Sequence, residues 1–149
     1  MALRLSHTRQ KPRQLEHHEQ VALIDWCARM SPRYPELAEL FAVPNAGGYS
    51  GGFKANVARV QRLKSEGVRS GEPDLLLLVP RSGYHGLCIE MKAGTGRVSP
   101  EQSARHEQLK QHGYRVMVCY SWQFAATVLL EYLTGCVHEW RGERLVRAA

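Results

Sequence analysis

Two hydrophobic periods alternate along this 149-residue chain. From Leu15 to about Met30 the apolar residues Val21, Ile24, Cys27 and Ala28 recur at helical spacing, which predicts an amphipathic helix. Ser31-Pro32 ends it, because a proline pushes its predecessor out of helical backbone. Pro35 opens a short helical turn that leads into a strand at Leu40-Phe41-Ala42-Val43. After a glycine-rich loop, a second helix is predicted from Phe53 to about Glu66, with Val57, Val60 and Leu63 on one face and Gly67 as its C-cap.

The pattern then changes. Asp74 to Val79 and Gly86 to Lys92 are nearly continuous apolar runs joined by the turn Arg81-Ser82-Gly83-Tyr84-His85, which predicts an antiparallel hairpin at the sheet centre. Ser99, Pro100 and Gln102 together form a helix start: a capping serine, a proline at the first position and a capping-box glutamine. That helix runs to about His112 and stops at Gly113. A strand from Tyr114 to Tyr120 and a helix capped by Ser121 and ending near Leu133 follow. Val137 to Trp140 and Arg144 to Val146 read as a hairpin or an ordered tail. The order implies a small mixed α/β sheet with helices on both faces, and a parallel crossover into the Tyr114 strand.

Composition narrows the function. No apolar run approaches the roughly 20 residues of a membrane helix, and Met1 to Ser6 lacks a secretory leader, so the expected location is cytoplasmic. Twenty Lys and Arg against 14 Asp and Glu give a net charge of +6, which suggests a polyanionic partner, most often nucleic acid. Residues 1–14 hold Arg4, Arg9, Lys11 and Arg13 without an acid and read as a basic arm. Lys54, Arg59, Arg62, Lys64 and Arg69 form a second basic stretch suited to tracking phosphates. Cys27, Cys88, Cys119 and Cys136 have no zinc-ribbon spacing and are expected to be small buried hydrophobes. His17 and His18 point apart on a helix and read as a solvated pair, and the three tryptophans read as packing residues.

The chemistry concentrates in Pro73-Asp74 and Ile89-Glu90-Met91-Lys92. Glu90 and Lys92 lie two apart on a strand and leave the same face. Asp74 opens the neighbouring strand and converges on them. Two carboxylates held together repel, and a hard divalent cation relieves that repulsion; oxygen ligands favour Mg²⁺ or Mn²⁺ over zinc. A lysine beside the metal can orient or help deprotonate an attacking water, or stabilise a pentavalent phosphate.

These residues sit in a longer series of blocks. It runs through Glu16-x-x-x-Gln20, Pro44-Asn45-Ala46-Gly47-Gly48, Leu63-Lys64-x-x-Gly67-Val68-x-x-Gly71-x-Pro73-Asp74-Leu75 and Gly86-Leu87-x-Ile89-Glu90-Met91-Lys92. It continues through Ser99-x-x-Gln102 and Gly113-Tyr114-Arg115-Val116. The series resembles the VRR-NUC branch of the PD-(D/E)xK nucleases over about residues 15–133, with 134–149 as a C-terminal extension. The family loop is usually Asn-Gly-Gly, and here Ala46 intervenes.

The resemblance implies a restriction-endonuclease-like mixed sheet flanked by helices and a metal-dependent DNA nuclease. Asp74 and Glu90 would be the metal ligands and Lys92 the catalytic lysine. Glu16, with Glu19 as its competitor, would be the first-helix acid. Gln102 would support the site from its helix, a task that competes with its capping role. Asn45, Gly47 and Gly48, with Lys54, Lys64 and Arg69, would face DNA. Stand-alone members resemble phage-borne proteins, often pair as homodimers, and have relatives that act on branched or flapped DNA. Two other classes stay open: a catalytically weak DNA-binding module of the same fold, and an RNA-directed enzyme.

Overall fold

The computed structural model describes residues 12–44 and 53–149. The first helix, α1, spans Pro12–Met30, so the end of the basic arm is already helical. A short 3₁₀ turn at Pro35–Glu39 leads to strand β1 (Phe41–Ala42). Helix α2 (Phe53–Ser65), strands β2 (Leu75–Leu77) and β3 (Leu87–Met91), helix α3 (Pro100–Gln111), strand β4 (Arg115–Cys119) and helix α4 (Trp122–Thr134) follow. Strands β5 (His138–Arg141) and β6 (Arg144–Arg147) form a separate antiparallel hairpin, as the tail pattern allowed.

The main sheet has the order β1-β2-β3-β4. β2 pairs antiparallel with β3 through Leu75↔Ile89 and Leu77↔Leu87, and β3 pairs parallel with β4 through Leu87↔Arg115 and Met91↔Cys119. Strand alternation assigns the two faces. Leu87, Ile89 and Met91 point into the main core with Leu75 and Leu77, against residues of α1 and α4. Cys88 and Glu90 point to the opposite face, where α3 lies, so helices flank the sheet on both sides.

Local chemistry explains the element ends. Ser99 Oγ accepts the Gln102 N–H at 3.2 Å and Gln102 Oε1 accepts the Ser99 N–H at 2.9 Å, which closes the expected capping box. Ser121 Oγ accepts the Phe124 N–H at 3.2 Å to start α4. Gly71 sits at φ +80°, and a Cβ there would lie 3.0 Å from the Glu101 carbonyl oxygen, so only glycine lets this loop touch the first turn of α3.

Three expectations about burial need correction. The buried stripe of α1 is Leu23, Trp26 and Cys27, whereas Val21 and Ile24 remain 44% and 37% exposed; Ala28 is exposed as well. The two stripes share helical spacing, and the packing of α1 against α4, the 3₁₀ turn and β3 decides which one is covered. β2 is shorter than its apolar run, because Leu78 is 55% exposed where the chain leaves the sheet. Cys27, Cys88 and Cys119 are buried, but Cys136 is only half-buried. Burial pushes the Cys27 and Cys119 thiols up to about 12, so both stay protonated and unreactive.

The tip of the β2–β3 hairpin is fastened from two sides. The buried Tyr132 hydroxyl donates to the Val79 carbonyl at 2.7 Å and accepts the Arg81 N–H at 3.2 Å. Arg81 also pairs with Glu36 at 2.6 Å. Tyr132→Phe keeps the ring and strands both backbone groups, so a loss of about 1–2 kcal/mol is expected in urea unfolding. An unchanged midpoint would show that the hydroxyl does not secure the hairpin.

Candidate metal and catalytic site

The site forms where the β2–β3 hairpin, α3 and the start of α1 meet. Continuing the β2–β3 register from Leu75↔Ile89 sets Asp74 opposite Glu90. The buried Pro73 fixes the approach. Asp74 Oδ2 accepts the N–H of Met91 at 2.8 Å, and the Asp74 carbonyl accepts the Val43 N–H at 2.9 Å. The aspartate is thus lashed to the backbone between Glu90 and Lys92.

Glu90 is 0% exposed. Its Oε1 accepts from Lys92 Nζ at 2.6 Å and from the side-chain amide of Gln102. Its Oε2 is buried without a hydrogen-bond partner. Burial and the nearby Asp74 charge raise the Glu90 carboxyl to about 7, against the pull of the Lys92 hydrogen bond and charge; Glu16 pushes the same way as Asp74. Burial works against the Lys92 ammonium, but the Glu90 hydrogen bond and charge, reinforced by Glu16 and Asp74, hold its pKa above the ordinary value. Lys92 is therefore a full cation at neutral pH.

Glu16 belongs to this cluster and Glu19 does not. A Cβ placed on Gly96 would lie 2.9 Å from Glu16 Oε1 and 3.5 Å from Lys92 Cδ, so the bare glycine makes room for both side chains. Glu19 instead accepts the Trp122 N–H at 2.6 Å, where its charge suits the N-terminus of α4. One turn of α1 separates the two acids, and that turn decides which element each one serves.

Gln102 performs both tasks that seemed to compete. Its amide oxygen closes the capping box while its amide nitrogen donates to Glu90 Oε1. The two ends of one planar amide face different partners, which consideration of the side chain as a single unit overlooks. The residue that sequence reasoning missed is His106. It is buried on α3, with Nε2 at 3.5 Å from Glu90 Oε2. Burial, with the Lys110 and Lys92 charges, lowers its pKa, so the ring is neutral at pH 7. Its spacing of four from Gln102 was the available signal, because that spacing places both on one helix face.

Lys64 and Arg69 are exposed, and Arg62 is partly neutralised by Glu66 at 2.8 Å. Asn45, Gly47 and Gly48 lie outside the described residues, as does the side chain of Lys54. His17 and His18 are exposed, and Trp122 and Trp140 pack edge to face with centroids 5.4 Å apart.

Among the described residues no three His, Cys, Asp or Glu side chains gather closely enough to enclose an ion by themselves. The donor set nevertheless suits a hard cation. The charges of Glu16, Asp74 and Glu90 all act on the Lys92 ammonium, and Glu90 Oε2 is buried without a hydrogen-bond partner. Mg²⁺ commonly takes one or two carboxylates and completes its shell with water and substrate oxygens.

The buried glutamate gives a pH signature. Its folded pKa is raised from 4.5 to about 7, so between those values the folded state holds a proton that the unfolded state has released. The Glu90 contribution to stability is complete at low pH and is lost as pH rises through about 7. In EDTA, urea unfolding should show stability falling over that window, and Glu90→Gln should flatten the fall. An identical pH profile for the two proteins would remove Glu90 as the cause.

The comparisons with known proteins bear on the family and the fold. The VRR-NUC domain model matches residues 50–123, a span that contains Asp74, Glu90, Lys92, Gln102 and His106. A solved structure, a VRR_NUC domain protein, superposes with a TM-score of 0.62 at 25% identity, covering 80% of this chain and 88% of that chain. No curated protein matches it in sequence. The fold is thus of the nuclease type, and both matches support placing residues 50–123 with the VRR-NUC domains.

Proposed function

We propose that the chain is a divalent-metal-dependent DNA nuclease that hydrolyses phosphodiester bonds. One observation carries the reading: a fully buried glutamate, Glu90, with one oxygen held by Lys92 and Gln102 and the other unpartnered beside Asp74. A protein that used this face only for packing would gain by replacing such a charge with an apolar side chain.

Asp74 and Glu90 would hold Mg²⁺ or Mn²⁺. When bound, such a cation polarises a phosphoryl oxygen and makes water a stronger nucleophile at neutral pH. Lys92 is already charged and anchored to Glu90 Oε1, so its role is to meet negative charge that builds on the phosphate and to orient the attacking water. Glu16 lies beside the Lys92 stem and helps keep that ammonium charged. Gln102 fixes Glu90 without adding charge.

Lys64 and Arg69 provide exposed positive charge for phosphate contacts. Asn45, Gly47 and Gly48, which precede α2 in sequence, and Lys54 of α2 would complete that surface. The preferred substrates would be flapped or branched DNA such as four-way junctions, cut by a homodimer, since such substrates present two strands. Sedimentation equilibrium that showed only a 16.9 kDa species at high concentration would rule out the dimer.

Labelled linear, flapped and four-way DNA and a matched RNA hairpin should be incubated with Mg²⁺, Mn²⁺ or EDTA. Cutting is expected only with metal and mainly on the flapped or branched DNA. Lys92→Ala should reduce it by about 100-fold or more at a temperature where circular dichroism shows the variant folded, and removing a donor from the buried Glu90 should also lower its melting temperature. Tight DNA binding without cutting under either metal would replace this reading with a binding module, and preferential cutting of the hairpin would make the enzyme RNA-directed. Mg²⁺ should also raise the wild-type Tm by mass action, and Asp74→Asn should abolish that rise.

A further inference from the structure

Gln102 and His106 are four residues apart on α3 and present side chains to the same carboxylate. Gln102 reaches Glu90 Oε1, and His106 Nε2 faces Glu90 Oε2 at 3.5 Å. Among the described residues, these two facing atoms are the buried side-chain polar atoms without a hydrogen-bond partner. Each such vacancy costs about 1–3 kcal/mol, and a small closure of this one gap satisfies both. An ionised carboxylate oxygen only accepts, so the favourable arrangement has the hydrogen on Nε2. The opposite tautomer would set two lone pairs against each other in a buried space.

We propose that His106 is a positioning residue for the site: its Nε2–H donates to Glu90 Oε2 and fixes the carboxylate plane. The proposal rests on the metal-dependent nuclease reading above and deepens it. A carboxylate oxygen can accept at two lone pairs. With one directed to His106, the other stays open for the cation next to Asp74. The last torsion of a glutamate is broad and nearly two-fold, so one bond at Oε1 leaves its orientation loose. Donors at both oxygens remove that freedom: Lys92 and Gln102 at Oε1, His106 at Oε2. A donor N–H is not a metal ligand, so His106 leaves the site's preference for hard cations intact.

Two measurements test the proposal, one of which needs no metal. Long-range ¹H–¹⁵N NMR of the metal-free wild type, at a pH well above 7 where Glu90 is ionised, should place a proton on His106 Nε2. A ring protonated at Nδ1 alone would overturn the assignment. Calorimetric titration with Mg²⁺ and Mn²⁺ should show affinity weakened by about 10-fold or more in His106→Leu. His106→Gln, which restores an N–H donor of similar reach, should recover most of it. Affinity unchanged within about twofold in a folded His106→Leu protein would overturn the proposal. If that variant does not fold, His106→Asn, whose amide is too short to reach Glu90, takes its place with the same expectation. A wild type that binds neither ion would instead sink the nuclease reading, and the proton position would still decide the hydrogen bond.

Discussion

Taking the Glu90 carboxylate out of water costs several kcal/mol unless donors replace its hydration, and most of the architecture around the site meets that constraint. Lys92 reaches it because residues two apart on a strand share a face. Gln102 reaches it because a capping box holds the first turn of α3 at the sheet. Gly71 lets the loop before Asp74 press onto that same turn, so the aspartate and the helix that carries Gln102 are fixed by one contact. These donors meet Oε1 and leave Oε2 without a hydrogen-bond partner, so the compensation is incomplete.

The two faces of the sheet divide the work. Leu87, Ile89 and Met91 enter the core that α1 and α4 cover, while the residues between them turn toward α3. β3 is consequently buried on both sides, with every residue from Leu87 to Met91 out of solvent. That rigidity holds the Glu90 carboxylate in place, because the strand cannot shift without disturbing the core packing behind it. Glu16 arrives from the helix on the core face, past the end of β3, where Gly96 leaves space for its carboxylate. The cluster thus collects acids from both layers at the strand end, where the apolar filling stops.

Signals contained within a few residues were legible. Ser99 with Gln102, Ser121 before Trp122, and the two apolar runs around Arg81–His85 each encode a local geometry that needs no partner. The antiparallel hairpin follows from a short turn between two apolar runs, and that pairing by itself brings Asp74 opposite Glu90. Long-range packing was not legible in the same way. On α1 the predicted stripe Val21-Ile24-Cys27-Ala28 and the buried one, Leu23-Trp26-Cys27, satisfy the same helical period, and only the packing of α1 against α4, the 3₁₀ turn and β3 distinguishes them. Likewise, Glu16 and Glu19 are equivalent acids until the fold brings one to Lys92 and the other to the Trp122 N–H.

Gln102 shows why a local folding signal and a site residue can coincide. A capping box accepts either Gln or Glu at its third position, because only the side-chain oxygen is needed to bind the N-cap N–H. Stability of α3 therefore does not distinguish the two. The site does, since the second end of the side chain meets Glu90 Oε1 and must donate. A glutamate here would keep the cap and bring a fourth carboxylate against an already repulsive group, raising the cost of ionising Glu90 further. The amide is the one common side chain that accepts at one end and donates at the other in this geometry. The choice of glutamine over glutamate at a capping position is thus readable as chemistry, once the carboxylate across from it has been located.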